Sequence, residues 1–493
     1  MKAMMKIGAL AALAVVLLGG CYLTMDDGVG AVGIELPESR GVSGTDDAPY
    51  ARVYVIKGPT LVEVGDGTAY AEIEFDTEDD EETTEYSVGP VPAGENYEVV
   101  LVFGDYEPGN DDADVFVPTS YAVSEPFTVY AGQATPTDVL AAGETPFSPV
   151  DETNTLGRSL VGIVWDGSNL YTATSGTLYR AIRTGPGDFG GTVTFDESFT
   201  PPADRTINSI SRGASVQLRG PTVWLNTTQG VLPFENGTFD DDFDAGSGVD
   251  ELSILDSGAF FVDPDGIIGP APLAVYGYLQ FDGGLSGVRD RDGSSSPEWL
   301  EPIDLSEIVS GQPIYDLMVF NGPISVDAFL ATKLGAFRMP QDVLDPANNV
   351  DTAQEVFDYS DFFEVSIDEV NARITALAVG DATDPFLYLG TPRGSVHVPN
   401  ILEIGADDDP EISGSVIPDT DNLVIQDIAF GGSYVAILTN HFLVYSSNGG
   451  PPFDRVPVYA SPAGEVTGML LDPTNGVVLL SGSQGLAGID LDS

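Results

Sequence analysis

The chain has 493 residues and carries 77 Asp and Glu against 18 Lys and Arg, a formal net charge of −59. Such an acidic balance repels phosphate and excludes a nucleic-acid binder, while a hydrophobic content of 42% excludes a disordered polyanion. A single cysteine excludes a disulfide framework and a thiolate zinc site, and 57 Gly with 35 Pro oppose long helices and favour short strands joined by turns.

The chain opens with Lys2 and Lys6, an apolar run from Ile7 to Leu18, and Gly19-Gly20 before Cys21. This is a signal peptide whose apolar stretch is too short to span a bilayer. Leu18-Gly19-Gly20-Cys21 resembles the lipobox of bacterial lipoproteins, in which the cysteine is acylated and the preceding peptide removed. The resemblance implies that Cys21 carries lipid, and several acyl chains on one residue give stable anchoring. No other segment is apolar for about 20 residues. Tyr22 is not the Asp that often retains enterobacterial lipoproteins at the inner membrane, so the cell envelope, at the outer membrane or cell surface, is the expected location. Removing Lys2 and Lys6 leaves 18 − 2 = 16 basic residues, of which only Lys57 and Lys333 are lysines. That depletion is similar to proteins of salty habitats, whose dense carboxylates hold water while salt screens their repulsion.

Residues 21–46 lack an apolar period and are expected to form a tether. Strand-like runs follow at Arg52 to Ile56, Tyr70 to Phe75, Tyr97 to Phe103 and Pro126 to Tyr130. Their alternation and Gly/Pro punctuation predict a small β-sandwich over 47–142. Val91 to Val99 resembles the proline-glycine-tyrosine segment of transthyretin-like or carboxypeptidase-regulatory-like modules, which implies a spacer or adhesive domain.

From residue 143 onward an internal repeat appears. Leu170 to Tyr179, Val223 to Leu232, Ala328 to Phe337, Leu387 to Val396, Val435 to Val444 and Val478 to Ala487 each read as strand, Thr or Ser, tight turn and strand. The aligned hydroxyls are Thr174, Thr227, Thr332, Thr391, Thr439 and Ser481. A glycine usually closes the turn, where it accepts positive φ. Each hairpin follows a further apolar strand. With a less regular unit between Leu252 and Val288, seven units start near 160, 208, 252, 314, 373, 424 and 466. This period predicts a roughly seven-bladed β-propeller over 143–493, the whole chain being all-β. The hairpin resembles the blade signature of sensor-type propellers of two-component regulators. The last unit ends one strand short, and Thr145 to Val150 is expected to complete it and so remove an open edge.

Chemistry is sparse in the sequence. His397 falls within a strand and His441 in a turn, neither near a G-x-S-x-G nucleophile, and both read as packing residues. No phosphate-cradling loop or dinucleotide fingerprint occurs. Asp240, Asp242, Asp244 and Glu251 take positions 1, 3, 5 and 12 of an EF-type calcium loop, with Ala245 where the sharp turn wants glycine. In so acidic a chain, that spacing also arises without a metal. Trp165 and Trp224 read as packing between blades, and Trp299 as part of a long insertion from Asp290 to Gly311.

The expectation is a monomeric, non-enzymatic, lipid-anchored platform whose propeller binds a protein, glycan or peptide, with no cofactor other than calcium. Two alternatives stand beside it: a polysaccharide hydrolase or lyase using paired carboxylates, and a calcium-stabilised structural surface protein.

Overall fold

The computed structural model describes residues 28–35, 48–64, 68–75, 85–110, 114–138, 143–165, 169–182, 193–203, 205–212, 222–235, 237–239, 259–261, 275–281, 284–290, 298–299, 314–321, 326–333, 335–340, 354–366, 374–380, 386–399, 401 and 414–492. They divide into two compact units. One comprises residues up to 107 together with 116–145, and the other 108–115 together with 146 onward. Cys21 and the residues Asp240, Asp242, Asp244 and Glu251 lie outside the described residues. Among the described residues, no helix is long and apolar enough to cross a membrane.

The first unit is a β-sandwich. Its strands are β1 (Val29–Glu35), β2 (Tyr50–Lys57), β3 (Thr60–Val62), β4 (Ala71–Glu74), β5 (Glu85–Pro92), β6 (Gly94–Pro108), β7 (Asp114–Val123), β8 (Phe127–Val129), β9 (Ala134–Asp138) and β10 (Gly143–Glu144). One sheet has the order β5-β1-β9. The other runs β10-β7-β6-β2-β3, with β4 also paired to β2 and β8 to β6. Val32, Ile34, Val88 and Val91 from the first sheet meet Val53, Val55, Ile73, Leu101 and Phe103 from the second in one core. Alternation supplies this core, because in β2 the residues Ala51, Val53 and Val55 share a face and all are fully buried. Tyr97, also fully buried, donates its hydroxyl to the Pro92 carbonyl at 2.6 Å and so ties the start of β6 to the end of β5.

Part of the expected tether is therefore structural. Val29–Glu35 pairs antiparallel with β5 and parallel with β9, and it is the central strand of its sheet. The reason lies in two glycines that break the apolar pattern. A Cβ on Gly30 would lie 2.4 Å from the Tyr130 carbonyl oxygen, so the strand needs a missing side chain where an apolar alternation would place one. The sandwich likewise extends past residue 142: β10 pairs with β7, and the Thr145 N–H donates to the Thr119 carbonyl at 3.1 Å.

Among the described residues, the second unit holds seven four-stranded sheets. Six are consecutive meanders, spanning 163–199, 207–239, 259–299, 314–358, 376–416 and 425–457. The seventh spans 466–490 and takes its fourth strand from Ser148–Pro149, which pairs with Gly488 and Ala487. Among the described residues, first strands of neighbouring sheets touch at six of the seven junctions, including that of the seventh and first sheets, so the blades form a closed propeller with the first strands at its hub. At the seam the Leu160 N–H donates to the Gly482 carbonyl at 2.9 Å, and Thr467 Oγ1 donates to the Leu160 carbonyl at 2.8 Å.

Cores sit between blades. Tyr171, Leu178, Ile210, Leu225 and Phe234 join blades one and two, and Leu479 and Leu486 pack with Leu170 and Ile163 to join blade seven to blade one. The second strands of blades five, six and seven are buried on both faces, which explains why Tyr434–Thr439 and Val477–Gly482 read as continuous apolar runs. Full burial of one such leucine or valine stabilises the fold by about 1.5–3 kcal/mol. The third blade corrects one reading: Glu298–Trp299 pairs with Arg289 and Val288 as a fourth strand, so Trp299 belongs to a blade and not to an insertion.

Candidate functional site

Each blade turns from its second to its third strand in two residues. The flanking positions are Thr174 and Thr177, Thr227 and Gly230, Phe281 and Gly284, Thr332 and Gly335, Thr391 and Gly394, Thr439 and Phe442, Gly482 and Gly485. Antiparallel meanders place these turns at the same end of the propeller as the connections between blades. This end is called the turn face below.

The recurring threonine is a hydrogen-bonding staple. Thr391 Oγ1 donates to the Gly394 carbonyl at 2.7 Å and accepts from the Arg393 N–H at 3.1 Å. Thr332 Oγ1 donates to the Gly335 carbonyl at 2.9 Å and accepts from the Gly335 N–H at 3.1 Å. Thr439 Oγ1 accepts from the N–H groups of His441 and Phe442, at 3.1 and 2.8 Å. All three threonines are buried, so the turn's backbone groups find their partners without water. The seventh hairpin aligns one residue differently from the sequence reading. Gly482 faces Gly485, while Ser481, directed to the other face of the strand, lies opposite Gly468 in the first strand.

The turn glycine has two distinct origins. Gly394 takes φ +120°, where a side chain is strained. Gly335 is excluded from any substitution by proximity, because a Cβ there would lie 2.0 Å from the Phe357 carbonyl oxygen of the blade's outer strand. In the sixth hairpin Phe442 stands in the glycine position and is buried under the Arg455 guanidinium, 3.5 Å from its ring centroid.

A feature the sequence reading missed lies in the hub strands. In blades two, four, six and seven the register slips by one residue just after the first apolar position, leaving Asn208, Tyr315, Gln426 and Thr467 as bulged residues. Ile207, Ile314 and Ile425 stand opposite Thr227, Thr332 and Thr439, so the bulge lies beside the turn face. Val161 and Thr375 hold the same position in blades one and five: their N–H groups bond to Ala173 and Gly390, the residues just before Thr174 and Thr391. Thr375 Oγ1 donates to the Ile425 carbonyl of the next blade at 2.6 Å, as Thr467 does to Leu160. Asp316 of blade four accepts the Leu377 N–H of blade five at 2.8 Å. The sequence signal is an apolar residue followed by one bearing an amide or hydroxyl, at Ile207-Asn208, Ile314-Tyr315, Ile374-Thr375, Ile425-Gln426 and Val466-Thr467, but a bulge has no local signature.

Both histidines sit among protein partners. Buried His441 lies between Asn440 and Tyr459: Asn440 Nδ2 donates to Nε2 at 2.9 Å, so Nδ1 carries the proton and donates it to the Tyr459 oxygen at 2.7 Å. Both nitrogens thus have protein hydrogen-bond partners. His397 sits half-buried against Phe386 and Tyr388, with ring centroids 5.0 and 5.2 Å away, and burial lowers its pKa. Glu355, in the outer strand Gln354–Asp358 of blade four, is pushed up to about 7 by burial and then by the charges of Asp358 and Asp361. It lies on the strand farthest from the hub, where the hydrolase reading required converging acids. Asp358 Oδ1 is already engaged, accepting the N–H groups of Ser360 and Asp361 as the cap of the short helix Tyr359–Phe362. Among the described residues, no group of three or more His, Cys, Asp or Glu is arranged to hold a metal ion.

No protein-family model matches the sequence, and no curated protein matches it. Solved structures resemble it at low identity. PorZ, an essential bacterial surface component of the type-IX secretion system of Porphyromonas gingivalis, is 11% identical with a TM-score of 0.45, covering 88% of this chain and 62% of that one. The extracellular domain of BT4673 from B. thetaiotaomicron, described as a hybrid two component system, is 11% identical with a TM-score of 0.43, covering 87% and 50%. YCF48 from Cyanidioschyzon merolae is 11% identical with a TM-score of 0.44, covering 70% and 99%. The chain thus spans about three fifths of the first and half of the second. The class of protein is defined by its own strand topology: an all-β chain of a sandwich followed by a seven-bladed propeller.

Proposed function

We propose that this chain is a non-catalytic envelope protein, anchored by lipid on Cys21, whose propeller is an interaction platform. One observation carries the platform reading. Seven two-residue turns and a set of hub bulges fall at the same end of a closed ring, so one face displays side chains on a backbone that buried threonines tie in blades four, five and six. Recognition needs such preorganisation, because groups already fixed lose little entropy on binding. The lipid anchor rests on Leu18-Gly19-Gly20-Cys21 alone.

Two experiments test the two halves. A Cys21→Ser variant is expected to lose acyl-chain labelling and leave the membrane fraction; unchanged labelling overturns the anchor. For the platform, the purified chain is applied to combined glycan and peptide arrays, with a product assay on each hit. Binding without turnover is expected, and release of shortened polysaccharide overturns the reading in favour of a hydrolase or lyase.

A further inference from the structure

We infer that the hub mouth on the turn face binds an uncharged oligosaccharide, an inference that rests on the platform reading above. Six of the seven blades place one residue at the turn-face start of the hub strand, Asn208, Tyr315, Gln426 and Thr467 on a bulge and Val161 and Thr375 at the matching hydrogen-bonded position. None is charged, and five carry an amide or a hydroxyl. Asn208 and Gln426 are exposed, each offering two donors and an acceptor. Thr375 and Thr467 are already oriented, since each gives its hydroxyl hydrogen to the next blade's carbonyl. Thr467 Oγ1 also lies 3.2 Å from Ser481 Oγ, which donates to it, and each threonine oxygen keeps a lone pair in a fixed position. A sugar hydroxyl donates once and accepts twice, so an amide between two pre-oriented hydroxyls, as Gln426 stands between Thr375 and Thr467 in blades five to seven, matches it.

Charge selects among sugars and against other partners. The net charge of −59 repels uronate and sulfated chains. Exposed Asp419, Asp421 and Glu465 stand on the connections between blades, while Asp316 and Asp427, which directly follow two of the bulged residues, already accept the N–H groups of Leu377 and Ile428. A cationic peptide would be drawn to those carboxylates, and its binding would weaken steeply with salt. A neutral sugar held by the bulge residues would be indifferent to salt.

Titration calorimetry on the full-length chain separates these outcomes. The probes are a panel of neutral hexasaccharides including maltohexaose and cellohexaose, an oligogalacturonate, and octalysine. At least one neutral hexasaccharide is expected to bind equally at about 0.1 M and about 1 M NaCl. A combined Asn208→Ala, Gln426→Ala variant is expected to weaken it by about tenfold or more, as for one or two lost hydrogen bonds. Both side chains are exposed, and an unchanged melting curve shows that the variant is folded. Asp454→Asn, at the opposite end of the propeller, is expected to leave affinity unchanged. Absence of binding across the neutral panel overturns the inference, as does a neutral sugar whose affinity ignores the double variant. Octalysine binding that salt abolishes, without sugar binding, assigns the face to basic peptides: the inference falls while the platform stands. Turnover of a sugar instead defeats the platform reading itself.

Discussion

The two units of this chain solve the same problem, burying β-sheet faces, by opposite routes. In the propeller every sheet but one is a run of consecutive strands, and the exception is closed by two residues from just ahead of the first blade. In the sandwich the central strand of the smaller sheet is the first among the described residues, and its partners lie about fifty and a hundred residues away. Local pairing repeats, so a rule broken in one blade can be compared with its copies. Distant pairing happens once, and a single glycine-spaced strand carries it. The difference teaches that similar burial can leave very different marks in a sequence.

Changes at matched positions sharpen this contrast. The largest expected effect is in the propeller: Gly335→Ala forces a Cβ against the Phe357 carbonyl and should cost about 3 kcal/mol or more, read from the denaturant midpoint. A smaller effect would mean that the outer strand of blade four moves freely. Next comes Ile34→Ala in the sandwich, where a fully buried side chain is truncated; a loss of about 2–4 kcal/mol is expected. If melting is unaffected, Val29–Glu35 is a tether after all. Thr439→Val deletes one acceptor serving two turn N–H groups and should cost about 1–2 kcal/mol.

The pH response of blade four gives a smaller signal. The folded state raises Glu355 from its ordinary 4.5 to about 7, so in that window it holds a proton that the unfolded chain releases. Its contribution to stability is complete below 4.5 and is lost as pH rises through 7. Glu355→Gln should therefore stabilise the fold by about 1 kcal/mol at about pH 8, a figure already reduced for a half-exposed group, and change nothing near pH 4. Denaturation curves at the two pH values test the sign. At the bottom of the scale stands Gly176→Ala, at the same kind of turn as Gly335 but with no atom within 4 Å of the added Cβ. Neutrality or a gain of about 0.5 kcal/mol is expected, through a less flexible unfolded chain. A large loss there would show that the turn glycines share one role.

Legibility followed sequence distance. Starts predicted near 314, 424 and 466 fall at Ile314, Ile425 and Val466, because a hairpin of two apolar strands and a Thr-marked turn is complete within about ten residues. Trp299 was misplaced because only two residues, Glu298 and Trp299, form that outer strand. Ser481 was aligned one position early because Gly482, with no side chain, occupies the threonine's place. Candidate-site residues were the least legible. His441 was visible as a turn residue, but not its hydrogen bonds to Asn440 and Tyr459, and Asn208 and Gln426 had no signal beyond polarity.

The sequence by itself determined composition, repeat and turn chemistry: acid surface, seven units, and a threonine that must find backbone partners inside each turn. Those properties depend on neighbours along the chain, so residue order suffices to specify them. Tertiary structure alone decided which glycine avoids a carbonyl, which threonine reaches the next blade, and how Val29–Glu35 becomes a central strand. Each depends on an approach of atoms far apart in sequence, and such distances exist only once the sheets have packed.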